Sequence, residues 1–116
     1  MNPIADSILS TTSIFYIEDD QANVSLMKLI IKRAGNLTLE TARSAEEGLP
    51  AIAERQPDLV LMDINLPGLS GIDATRKLKE NKATSHIPVV AVSANATTYD
   101  KVLAKSADFF CYLTKP

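Results

Sequence analysis

The sequence predicts an α/β fold in which a five-stranded parallel sheet is wound with helices on both faces. Three observations predict it. Leu59-Val60-Leu61-Met62 and Pro88-Val89-Val90-Ala91-Val92 are unbroken apolar runs, the pattern of strands buried on both faces. Segments of helical spacing, bounded by capping residues and turn formers, alternate with the strands. Polar residues out of place in a buried strand stand at strand carboxyl ends, where open α/β sheets bind ligands.

The elements follow in order. Residues 1–12 are rich in Ser and Thr, carry no Lys or Arg, and read as a loose lead-in without the basic start of a signal peptide. Residues 13–17 form the first strand, which runs directly into Glu18-Asp19-Asp20. Adjacent acids repel one another unless a cation or a basic side chain sits nearby. Helix capping explains Asp20, but it does not explain all three.

Residues 21–34 place Ala22, Leu26, Leu29, Ile30 and Arg33 at helical spacing, with Lys32 and Arg33 in the last turn and Gly35 as the stop. Residues 37–42 alternate and suit a weak edge strand. Ser44-Ala45-Glu46-Glu47 has capping-box spacing and opens a helix to about Gln56. Pro50 inside that helix should kink or shorten it. The third strand ends at Asp63, and Pro67-Gly68 shapes the loop after it. Residues 71–81 form a polar helix with Ile72, Thr75 and Leu78 on one side. The fourth strand, 88–92, ends at Ser93; a helix over 97–107 and a short strand near 110–113 complete the alternation, and Lys115 follows the last strand.

Such alternation with short loops means right-handed crossovers. The weak second strand suits the flavodoxin-like order 2-1-3-4-5, whose switch point lies between the carboxyl ends of strands 1 and 3. Those ends carry Glu18, Asp19, Asp20 and Asp63. Taken singly, Asp63 could merely start a turn. Convergence of every polar anomaly on one sheet edge is not what separate turn residues predict.

The bulk numbers bound the function. A chain of 116 residues, 46% hydrophobic and 22% charged, suits one globular domain. A formal charge of −2 gives no basic footprint for nucleic acid, and no stretch is long enough to span a bilayer. One cysteine, Cys111, excludes an internal disulfide and fits a reducing, cytoplasmic setting. In Phe109-Phe110-Cys111-Tyr112 it reads as a small buried hydrophobe. His86, before Pro88, reads as a surface loop residue.

Clustered carboxylates suit a hard divalent cation, Mg²⁺ or Mn²⁺. Asp63 is the candidate nucleophile, since a carboxylate can form an aspartyl-phosphate. Asp19 is the main metal ligand, Glu18 a water-mediated one, and Asn65 the donor of a backbone carbonyl. Lys115 offers positive charge, and the Ser93 hydroxyl a hydrogen bond, to phosphoryl oxygens.

These residues carry a family resemblance. Ile17-Glu18-Asp19-Asp20, the run 61–68 with Ser70-Gly71, Ala91-Val92-Ser93-Ala94-Asn95-Ala96 and Tyr112-Leu113-Thr114-Lys115-Pro116, in that order, resemble the receiver domain of two-component response regulators over residues 13–116. The resemblance implies that Asp63 takes a phosphoryl group from a phosphohistidine on a sensor histidine kinase or a histidine phosphotransfer domain. It implies a metal held by Asp19, Asp63 and the Asn65 carbonyl, and a cis Lys115–Pro116 peptide. It also implies a switch in which Ser93 and Tyr112 move, signalling to an effector domain, a downstream protein or a second copy of the chain.

The chain departs from the family where Asp108 replaces a usual glycine and where no fifth helix follows Pro116, so the receiver domain is expected to be incomplete at its C-terminal end. Two rival readings are a haloacid-dehalogenase-like phosphatase, which wants an acid where Asn65 stands, and a pseudo-receiver acting only as an interaction module, which would normally have lost the acid, the lysine or the hydroxyl. The chain is not expected to be an enzyme beyond its own phosphorylation and dephosphorylation.

Overall fold

A computed structural model describes residues 11–93 and 109–114. Five strands, β1 (Thr12–Ile17), β2 (Leu37–Ala42), β3 (Leu59–Asp63), β4 (Val89–Ser93) and β5 (Cys111–Thr114), make one parallel sheet in the order β2-β1-β3-β4-β5. This is the order expected. The helices among the described residues are α1 (Gln21–Ala34), α2 (Ala45–Arg55) and α3 (Gly71–Glu80). The helix expected over 97–107 lies outside the described residues, as do Asp108 and the Lys115–Pro116 peptide.

Side-chain alternation along the strands divides the core between the two sheet faces. Ile14 and Tyr16 of β1, Leu61 of β3, and Val90 and Val92 of β4 pack with Ile31 of α1. Phe15 and Ile17, Val60 and Met62, and Val89 pack on the other face with Ile52 of α2 and Leu78 of α3. Each fully buried side chain of this size contributes roughly 1.5–3 kcal/mol.

The helices start where the sequence provides acceptors for their first amides. Asp20 Oδ1 accepts from Ala22 N at 2.9 Å, Ser44 Oγ from Glu47 N at 3.2 Å, and Ser70 Oγ from Asp73 N at 3.2 Å. Gly35 closes α1 at φ 84°, a left-handed conformation that glycine adopts without steric cost.

One local expectation is corrected, the burial of Cys111, and two are made specific. α2 runs unbroken through Pro50. Pro50 has no amide to donate to the Glu46 carbonyl, four residues back. In α1 the stripe facing the sheet is Val24, Met27 and Ile31, while Leu26, Leu29 and Ile30 are 42–49% exposed. Both stripes have helical spacing, so periodicity alone could not choose between them. Cys111 is exposed rather than buried, because β5 is the outer strand of the sheet.

Candidate functional site at the carboxyl ends of β1 and β3

The register of β1 against β3 builds the site. Tyr16 lies opposite Leu61, and Ile17 opposite Met62. One residue further, Glu18 and Asp63 leave the two strands as neighbours. Alternation puts both on the face of Tyr16 and Leu61. Adjacent strands lie about 4.8 Å apart, so the fold forces the two carboxylates together. Asp19, at the turn into α1, completes the group: one carboxylate oxygen from each of Glu18, Asp19 and Asp63 lies within 4.8 Å of the others.

Burial sharpens the electrostatics. Glu18 is 1% and Asp63 3% exposed, whereas Asp19 faces solvent. Two buried like charges at that spacing repel by roughly 3 kcal/mol at an effective dielectric near 20. Positive charge delivered to this point reverses that sign. The all-oxygen donor set, with one open side at Asp19, therefore fits a hard divalent cation.

Local hydrogen bonds fix the carboxylates. Asn65 N donates to Asp63 Oδ1 at 3.1 Å, which turns the chain sharply after β3. The Tyr16 hydroxyl donates to Glu18 Oε1 at 2.9 Å, and Asp20 N approaches Glu18 Oε2 at 3.5 Å. Burial first, then the Glu18 hydrogen bond and the surrounding carboxylates, hold the Tyr16 phenol well above the ordinary tyrosine range. It is therefore a proton-bearing donor throughout the physiological range.

The loop between β3 and α3 is pinned from both sides. Gly71 N donates to Ile64 O at 3.2 Å, and a Cβ at Gly71 would run into the Asp63 carbonyl. Only glycine lets α3 begin flush against the end of β3. Glu46 of α2 reaches across to accept from Leu69 N at 3.1 Å.

The structure thus brings together Glu18, Asp19 and Asp63, with the Asn65 backbone hydrogen-bonded to the last. Ser93 is fully buried at the end of β4, one residue beyond Val92, the register partner of Asp63. Lys115 and the side chain of Tyr112 lie outside the described residues. Asp20 is spent on capping α1. His86 is exposed in a turn before β4. Sequence reasoning missed Tyr16 and Glu46. The signal for Tyr16 was its two-residue spacing from Glu18 on one strand face; nothing local marked Glu46.

A parallel five-stranded sheet with an acidic pocket at its β1/β3 switch point is the arrangement of a response-regulator receiver. The chain belongs to the response regulator receiver domain family, which it matches over residues 14–116. It is 39% identical over 106 residues to the polar-differentiation response regulator DivK of Brucella ovis, covering 91% of this chain and 85% of that protein. A receiver domain of the sensor histidine kinase PA1611 from Pseudomonas aeruginosa, solved with magnesium coordinated in its active-site cleft, superposes with a TM-score of 0.84 at 25% identity, covering 92% of this chain and 87% of that one. The N-terminal domain of a response regulator receiver protein from Methanoculleus marisnigri gives 0.83 at 30% identity, with coverage of 92% and 86%. Among the described residues, no helix is long and apolar enough to cross a membrane.

Proposed function

We propose that this receiver domain, spanning residues 13–116, is an active phosphoacceptor with Asp63 as its nucleophile. The observation that carries the reading is the convergence of buried Glu18 and Asp63 with solvent-facing Asp19 on one point. A carboxylate oxygen of Asp63 attacks the phosphorus of a phosphohistidine. The new O–P bond forms as the N–P bond breaks, and the imidazole leaves. Asp19 and Asp63 would hold Mg²⁺ directly, with the Asn65 carbonyl beside them and Glu18 acting through water. The cation, when bound, offsets the repulsion between these acids and the incoming phosphoryl oxygens.

The chain's own groups do the rest. Asn65 N holds one oxygen of Asp63 and so orients the attacking carboxylate. The Ser93 hydroxyl and the Lys115 ammonium receive the phosphoryl oxygens. The group adds about −1.5 to −2 charge, and Ser93 and Tyr112 relay that change toward the side of the domain where β5 lies. The donor is a histidine kinase or a histidine phosphotransfer domain, and the readout is an effector domain, a partner protein or a second copy of the chain. A phosphatase reading is disfavoured because Asn65, an amide, stands where that chemistry wants a general acid.

The test is incubation with a small acyl phosphate, with and without Mg²⁺. The expected product is one phosphoryl group per chain, labile to hydroxylamine and absent in chelator. Steady turnover of p-nitrophenyl phosphate would instead contradict the reading.

A further inference from the structure

We infer that Tyr16 is a positioning residue of this site, whose hydroxyl holds the Glu18 carboxylate in the orientation from which it serves a bound divalent cation. The inference rests on the receiver reading of the site and extends it to a residue of the sheet core.

Tyr16 lies in β1 and Glu18 directly follows the last residue of that strand, Ile17; at two residues' spacing the alternation carries both side chains to the same sheet face. The ring is 1% exposed and packs among Ile14, Ile31, Leu61, Val90 and Val92. That packing leaves the phenol no freedom to turn away. Its hydroxyl therefore sits at a fixed point, 2.9 Å from Glu18 Oε1. Asp20 N lies 3.5 Å from the other oxygen, Glu18 Oε2. The bond from the buried ring is short and rigidly mounted, so it constrains the carboxylate's direction.

Two opposing effects follow from such a bond. A donor on Oε1 withdraws some electron density from the carboxylate, which weakens it as a ligand. It also freezes a long, flexible side chain before the cation arrives, which strengthens binding. The second effect dominates where the carboxylate acts through water, because direction matters there more than basicity. Hydrogen-bond partners behind metal ligands are worth about 10–100-fold in affinity. An aliphatic residue would fill the same core space and supply no donor.

The test measures Mn²⁺ affinity of the full chain from the electron paramagnetic resonance signal of the free ion, at a temperature well below unfolding. Tyr16→Phe keeps the ring and removes only the oxygen. It should weaken Mn²⁺ binding about tenfold. In a Glu18→Ala background the same change should have no effect, since a group acting through Glu18 has nothing left to position. A merely structural phenol would give the opposite pattern, with an equal loss in both backgrounds. That result, or a change of less than twofold in the first comparison, overturns the inference. Tyr16→Met, which fills most of the volume without a donor, replaces the Phe variant should it not fold. If the wild-type chain fails to bind Mn²⁺ at all, the receiver reading falls and this inference with it.

Discussion

Asp58 enters β3 and Asp63 leaves it, with only Leu59, Val60, Leu61 and Met62 between them. At the amino end, Asp58 and Ser13 clasp each other across β3 and β1. Asp58 Oδ2 accepts from Ser13 N at 2.8 Å and from Ser13 Oγ at 3.2 Å, while Asp58 N donates to Ser13 O at 2.9 Å. That carboxylate is exposed and surrounded by donors. At the carboxyl end, Asp63 is buried and set against two more acids. The residue type and the strand are the same, and Asp63 too accepts a local bond, from Asn65 N; what differs is the company of Glu18 and Asp19. An exposed aspartate among donors holds a fold together. A buried one gathered with like charges is suited to a cation.

The largest expected effect breaks the comparison at its buried end. Asp63→Asn should abolish Mg²⁺-dependent labelling by an acyl phosphate, while Asp58→Asn should leave it within about twofold, because surface changes away from a site are usually near neutral. Radiolabel or intact mass reads both. Next, Asp19→Asn removes a proposed direct ligand and should weaken Mg²⁺ by at least the roughly 100-fold that the strongest partners behind a ligand are worth; calorimetric titration measures it. A loss as large in Asp58→Asn would erase the distinction between the two ends.

Gly71→Ala attacks the Asp63 end through the backbone. The new Cβ meets the Asp63 carbonyl, so the variant should lose about 2 kcal/mol, as overpacked sites do, and label more slowly. Urea unfolding gives the first number. The smallest effect belongs to the amino end. Asp58→Ala should cost about 1 kcal/mol, the usual worth of a satisfied hydrogen-bonding group, and leave Mg²⁺ affinity unchanged.

Much of this was legible in the sequence because strand ends are where apolar runs stop. Leu59–Asp63 is a strand with an acid at its tip in the sequence and in the structure alike. Edge position was legible in β2 from its half-polar alternation, and the caps Asp20 and Ser44 from their side chains. What the sequence left open or misread needed tertiary information. Two apolar stripes on α1 fit the same period, and only the sheet selects Val24, Met27 and Ile31. Pro50 stands inside a helix that continues through it, held by the rest of the domain rather than by local preference. Cys111 looked buried because its neighbours are apolar, yet its strand lies outermost. In the site, Glu18, Asp19 and Asp63 were legible as misplaced acids. Tyr16 was not, because a tyrosine within an apolar strand resembles core until its hydroxyl is traced to Glu18.

The central claim is that the carboxyl end of β3 is a phosphoacceptor. Its most direct test is to react the chain with a small acyl phosphate and Mg²⁺, trap the product chemically, and locate the modified residue by peptide mass spectrometry. The account predicts one modified residue, Asp63, with Asp58, Asp19 and His86 untouched. A modification at any other residue, or an unmodified chain under conditions where Mg²⁺ is bound, would contradict it.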